Sequence, residues 1–187
     1  MNENINKDLD VLNAEIIFRN FSGRETDYNR AGDRNFSVVI PSVEEAIRLY
    51  NAGWNVQIRP KEQATRVEMK TACKTFDERI EWLSSRGELD DALFHLKVSV
   101  SYKYPEKQPK IYLVRGDDHK MVRMTESNIS TLDKAEIVNI DLTINPSYWS
   151  KAGRSGYMAF LKTAYVTIQE SEVSMKYRDY YEDGEEE

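Results

Sequence analysis

Leu93-Phe-His-Leu-Lys-Val-Ser-Val-Ser-Tyr102 alternates with a period of two. A β-strand sends successive side chains to opposite faces, so Phe94, Leu96, Val98, Val100 and Tyr102 share one face while His95, Lys97, Ser99, Ser101 and Lys103 share the other. The first face reads as core and the second as wet and basic. Further strands rich in β-branched or aromatic residues are expected at 14–21, 35–40, 54–59, 110–115, 136–145 and 157–169. About seven strands in one chain of this length imply a curled sheet or barrel. Trp54 opens an alternating strand with Val56 and Ile58 on its own face and is assigned to the core.

Three helical segments interrupt the strands. Ser42-Val-Glu-Glu-Ala-Ile-Arg-Leu-Tyr50 begins with an N-cap serine, carries Glu45 three residues later and stops at Asn51-Ala-Gly53. Thr125 to Asp133 is a shorter amphipathic stretch. Between Pro60 and Asp91 a single longer element is expected, because Val67, Cys73, Phe76, Ile80 and Leu83 recur at near-helical spacing. It should pack one face against the barrel. With no internal repeat or Gly/Ser-rich linker, residues 1–178 read as one domain.

The 187 residues carry 26 Lys+Arg and 32 Asp+Glu, a net charge of −6. That excess lies in the last nine residues, where Asp179, Glu182, Asp183, Glu185, Glu186 and Glu187 stand without a basic residue. Such a run cannot bury enough apolar surface to offset its ordering entropy, so residues 179–187 are expected to be a disordered polyanionic tail. It could recruit protein partners, compete for a basic groove on its own body, or serve solubility. A body without net charge argues against indiscriminate coating of duplex DNA, although residues 93–178 are locally basic.

Signals for catalysis are sparse. Cys73, His95 and His119 have no metal-ligand spacing, so neither a disulfide nor zinc is expected. Lys151-Ala-Gly-Arg-Ser-Gly156 lacks the spacing of a phosphate-binding loop and reads as a hairpin turn. Glu44-Glu45 and Asp117-Asp118 are adjacent carboxylates that diverge on any regular element, and Glu68-Met-Lys70 and Asp118-His-Lys120 lack the further carboxylates of a metal-dependent nuclease. His95 has no evident nucleophile and reads as surface packing. No cofactor is expected. The first ten residues have neither a basic flank nor an apolar run, and no stretch approaches a membrane span.

Binding residues are more plentiful. The loop Phe21 to Arg34 interleaves Phe21 and Tyr28 with Arg24, Arg30 and Arg34; a second patch joins Tyr102, Lys103 and Tyr104 to Lys107, Lys110 and Tyr112; a third joins Tyr148, Trp149, Lys151, Arg154, Tyr157 and Lys162. Aromatic faces stack bases and cations hold phosphates, which is what single-strand binding needs. The phosphate candidates are Arg19, Arg24, Arg30, Arg34, Arg59, Lys97, Lys103, Arg154 and Lys162. The stacking candidates are Phe21, Tyr28, Tyr102, Tyr104, Tyr112, Tyr148 and Trp149. A polar hairpin whose arginines pair with Glu25, Asp27 and Asp33 remains an equal reading of the first loop.

Ala14-Glu-Ile-Ile-Phe-Arg-Asn-Phe-Ser-Gly23, Arg34-Asn-Phe-Ser-Val-Val-Ile40, Gly53-Trp-Asn-Val56, Leu132 to Pro146 and Ala159 to Ile168 together resemble the small single-stranded-DNA-binding proteins of bacteriophages. The resemblance spans residues 14–170. It implies an OB-like β-barrel with peripheral helices, DNA binding without catalysis, and a role in phage replication or recombination in the cytoplasm of an infected bacterium. The acidic end is similar to the tails by which single-strand binders dock phage or host replication and recombination proteins. Residues 61–91 depart from the family pattern as a helical insertion, whose expected roles are to shield one barrel mouth, to mediate self-association into a homo-oligomer, or to narrow the binding groove. The alternative from another class is a phage protein-interaction or virion-associated adaptor whose aromatics serve packing.

Overall fold

The computed structural model describes residues 7–115 and 120–169. The chain runs β1 (Leu9–Val11), β2 (Ile16–Asn20), β3 (Arg34–Ile40), α1 (Val43–Asn51), β4 (Val56–Arg59), α2 (Gln63–Ala72), α3 (Phe76–Ser85), β5 (Leu93–Val100), β6 (Lys110–Arg115), β7 (Lys120–Met124), β8 (Ile137–Lys151) and β9 (Arg154–Ile168). The acidic residues 179–187 lie outside the described residues, as do Asp117, Asp118 and His119.

The two faces of the opening strand organise the rest. β5 pairs along its length with β3, from Arg34 opposite Val100 to Ile40 opposite Phe94. Its other edge is shared: Leu93–Leu96 pair with β4, and Val98 and Ser99 pair in parallel with Ala159 and Phe160 of β9. β9 then pairs antiparallel with β8 over nearly fifteen residues, and Ala14, just before β2, donates to the Ile140 carbonyl of β8 at 2.8 Å. The order β2-β3-β5-β9-β8 therefore returns to β2. A five-stranded antiparallel ring with one parallel junction is the OB-like barrel. β6 extends the wall along the far half of β9, and β7 and β1 add strands that sequence patterning did not predict.

Phe36, Val38, Ile40, Val56, Ile58, Phe94, Leu96 and Val98 all point into the ring and are buried. Period-two strands from β8 and β9 fill the other side with Ile140, Leu142, Ile144, Leu161, Ala164 and Val166. Trp54 lies in this core as its alternation predicted. Phe21, expected to stack bases, is instead 1% exposed and stacked on Phe36 with ring centroids 5.3 Å apart.

The stretch expected as one long helix is two. Thr75 caps α3, and the Glu78 carboxylate takes the backbone amides of Lys74 and Thr75, a capping box that stops the chain from continuing out of α2. α3 packs Phe76 against Tyr50 of α1 at 4.1 Å, so the insertion is tied to the body. Residues 125–133 form only a short 3-10 turn, Ile129–Asp133.

The outward face of β3 and β5 is not the open surface expected from alternation. Asn35, Ser37 and His95 are buried, roofed by the β2–β3 loop and by Phe18, while Lys97 remains exposed. Burial, with the Arg59 charge second, pushes the His95 imidazole down to about 4.

Both faces yield a test. Leu96→Ala should cost about 2–5 kcal/mol of unfolding free energy, read as a lower denaturant midpoint at unchanged slope. His95 takes up its proton more readily unfolded than folded, so between pH 6.5 and about 4 stability should fall as pH falls and be fully present above pH 6.5. His95→Gln should remove that part of the pH dependence in denaturant titrations.

Candidate nucleic-acid interface

One extra residue in β2 decides what reaches the outer face. Ile17 pairs with Ser37 and Asn20 with Asn35, so three steps along β2 match two along β3. The bulge places Phe18 at φ 51° and turns its ring outward, 5.5 Å and edge-on to His95, with the Arg59 guanidinium 5.2 Å from the ring centroid. Arg19 is carried the other way. Its Nη1 donates to the carbonyls of Leu132 and Ala135 at 2.9 and 2.7 Å, which ties β2 to the turn before β8 rather than presenting a cation for phosphate.

Asn20 then anchors the β2–β3 loop. Its amide donates to the carbonyls of Arg24 and Asp33, and its Oδ1 accepts from Arg24 N at 2.9 Å. Asp133 receives the amides of Phe21 and Ser22. Gly23 and Gly32 meet backbone to backbone, both at positive φ, and a Cβ on Gly23 would lie 3.1 Å from Gly32. The loop so held presents Arg24, Arg30 and an 88% exposed Tyr28 to solvent, and hangs Asn29 over the sheet, where its Oδ1 accepts from Asn35 Nδ2 and Lys97 Nζ.

Two contiguous clefts cross this face, sharing Asn35, Gln57 and Lys97. The first, about 650 Å³, is lined by Arg34, Ser99, Tyr102, Lys103, Glu126 and Met158 among others. Arg34 pairs with Glu126 at 2.9 Å and lies 5.8 Å from the Tyr102 ring centroid. Arg34 Nε and the Tyr102 hydroxyl are buried without hydrogen-bond partners, and burial pushes the Tyr102 phenol up. The first-loop alternative, arginines paired with Glu25, Asp27 or Asp33, thus gives way for Arg34 to a partner 92 positions along the chain. The second cleft, about 530 Å³, is lined by Phe18, Tyr28, Arg59, His95 and the α2 residues Val67 and Lys70 among others.

Of the expected site residues, Tyr28, Arg34, Arg59, Lys97, Tyr102 and Lys103 line the clefts. Arg24 and Arg30 are exposed on the loop beside them, and Tyr104 sits against Lys103 with Nζ 5.6 Å from its ring centroid. Tyr148, Trp149 and Arg154 occupy the β8–β9 hairpin, where Tyr148 meets Tyr157 edge-on and the Trp149 indole lies over Gly156, 3.4 Å from where a Cβ would stand. Arg19, Phe21, Tyr112 and Lys162 are placed elsewhere. Tyr112 stacks on Tyr165 at 5.4 Å, and Lys162 binds Asp8 at 2.5 Å beside β1. Phe18, Asn35 and Gln57 were not singled out in the sequence. Phe18 would follow the core face in an unbroken strand, and only the bulge turns it outward. Among the described residues no cluster of His, Cys, Asp or Glu could hold a metal, and no helix is long and apolar enough to cross a membrane.

In an OB barrel the face of the second and third strands, with the first and last interstrand loops, binds oligonucleotides. Here those are β3 and β5, the loop 21–33 and the β8–β9 hairpin. No curated protein sequence matches the chain. Among solved structures it is similar to the single-stranded DNA-binding protein of bacteriophage Enc34 in complex with ssDNA, at 9% identity and TM-score 0.45, covering 87% of this chain and 86% of that one. It is similar also to gp2.5, a single-stranded DNA binding protein encoded by bacteriophage T7, at 11% identity and TM-score 0.31, covering 96% of each. A family model described as a putative phage ssDNA-binding domain matches residues 2–75 and 76–186, so the chain belongs to the phage ssDNA-binding family.

Proposed function

We propose that this protein binds single-stranded DNA without sequence preference and without catalysis, along the outer face of β3 and β5, during phage DNA replication and recombination in the cytoplasm of the infected host. The observation that carries the reading is the position of that face. It lies where an OB barrel binds oligonucleotides, and it carries cations and aromatic rings at both ends. Arg34, Lys97, Lys103 and Arg59 hold phosphates, with Arg24, Arg30 and Arg154 on the flanking loops. Tyr28, Tyr102, Tyr104, Tyr148 and Trp149 offer planes for bases. Stacking on rings and contacts to phosphates do not depend on base identity, which suits sequence tolerance. The acidic tail recruits phage or host replication and recombination proteins.

Glu126 is the counter-ion of Arg34 in the free protein. A phosphate must replace it, so this carboxylate weakens binding by occupying the cation and by repelling the strand.

Fluorescence anisotropy with labelled oligo-dT at two salt concentrations tests the reading. Binding should weaken steeply with salt and exceed that to a duplex of equal length; no binding, or equal binding to duplex, would overturn it. Changing Arg34 and Lys97 together to Ala should weaken oligo-dT binding and lower the salt slope by roughly 0.7 per lost contact. Glu126→Gln should act oppositely and tighten binding at low salt. Deleting residues 179–187 should also tighten binding at low salt, with the gain shrinking as salt rises, and should abolish capture of tail partners. Unchanged low-salt affinity would mean that the tail does not visit the groove.

A further inference from the structure

The helices of residues 61–91 do more than cover the barrel. α2 buries Thr65 and Met69 against the body and turns Gln63, Arg66, Val67 and Lys70 to the second cleft, a stripe at i, i+3, i+4 and i+7. Arg66 is held in place by the carbonyls of Pro60 and Lys61 and by Gln63, which fixes the first turn of the helix. Val67 and Lys70 are left exposed on the lip. Four cations, Arg59, Arg66, Lys70 and Lys97, line this cleft and no carboxylate does, in a chain whose acids outnumber its bases. The first cleft, by contrast, carries Asp33 and Glu126.

Phe18 forms the opposite wall. Phe18 is 50% exposed, and its own backbone is held in left-handed geometry at φ 51°. Under it lies His95, 7% exposed, whose Nδ1 is buried without a hydrogen-bond partner. A strained backbone, an exposed ring and an orphaned polar atom at one spot are costs that barrel packing does not require, and such costs cluster at ligand sites.

We infer that Phe18, His95 and the Val67–Lys70 lip of α2 form a nucleobase subsite that extends the groove beyond the β3–β5 face, the base stacking on Phe18 and its phosphate lying between Arg59 and Lys70. This rests on the single-strand reading above and assigns the insertion a role within it. The aromatic face and the exposed valine suit a flat base. The surplus of cations suits the backbone that carries it.

The test compares oligo-dT with an oligomer of equal length whose bases are replaced by abasic spacers, by anisotropy at low salt. Phe18→Gly removes the ring while accepting the backbone geometry, so the variant should fold, as checked by circular dichroism. It should lose roughly five- to a hundredfold in affinity for oligo-dT and nothing for the abasic oligomer. Lys70→Glu should weaken oligo-dT binding well beyond Lys134→Glu, an equal reversal that lines neither cleft. Unchanged oligo-dT binding by Phe18→Gly, an equal loss on both oligomers, or equal effects of the two lysine reversals would overturn the subsite. If in those cases the Arg34→Ala, Lys97→Ala variant still weakens oligo-dT binding, the single-strand reading survives alone. Failure of the unaltered protein to bind oligo-dT would overturn both.

Discussion

β5 must satisfy three neighbours and two environments within eight residues. One edge is bonded to β3 throughout, while the other is divided between β4 and β9. Side-chain period two then forces Phe94, Leu96, Val98 and Val100 into the ring and His95, Lys97 and Ser99 out of it, and a slip of one residue would exchange the two sets. The junction of β5 with β9 is what converts a meander into a barrel. The core, the groove floor and the separation between them all follow from this one strand's register.

The groove itself is made by departures from regularity. The β2 bulge exchanges the destinations of Phe18 and Arg19, bringing an aromatic ring to the outer face and sending a guanidinium to cap carbonyls before β8. Asn20 and the close approach of Gly23 to Gly32 then fold the following loop back over the sheet. Asn35, Ser37 and His95 become a sheltered floor, with Lys97 held to Asn29 across it. A sheltered polar floor strengthens electrostatic contacts relative to an open surface, because screening by water is weaker there.

Charge is distributed unevenly over this frame. The cleft between Phe18 and α2 is lined by cations without carboxylates, while the cleft at Tyr102 holds the Arg34–Glu126 pair. In the proposed reading the first arrangement favours the polyanion directly, and the second sets an internal competitor against it. The partner of Arg34 comes from the β7–β8 connection, so the two ends of the groove are governed by different parts of the chain.

Period-two alternation was sufficient for a mainly β chain, for the buried Trp54 and for α1, because each depends on local patterning and capping, while the OB-like barrel came through the resemblance carried by the blocks around Ala14–Gly23, Arg34–Ile40, Leu132–Pro146 and Ala159–Ile168. The family followed from the same blocks. The site was legible only in part. Tyr28, Arg34, Arg59, Lys97, Tyr102 and Lys103 could be found as aromatic and basic residues near strand ends, and the structure brings them to two adjoining clefts. Phe21 and Arg19 read as binding residues from their type and their place in or beside the aromatic-basic loop, and a one-residue bulge in β2 has no local sequence signal strong enough to reveal where they turn. Lys162 and Tyr112 found partners in Asp8 and Tyr165, and Arg34 found Glu126, through pairings across strands and loops far apart in the chain. Local chemistry could therefore name the kinds of residue a single-strand binder needs, whereas register, the bulge and long-range ion pairs decided which of them face the groove.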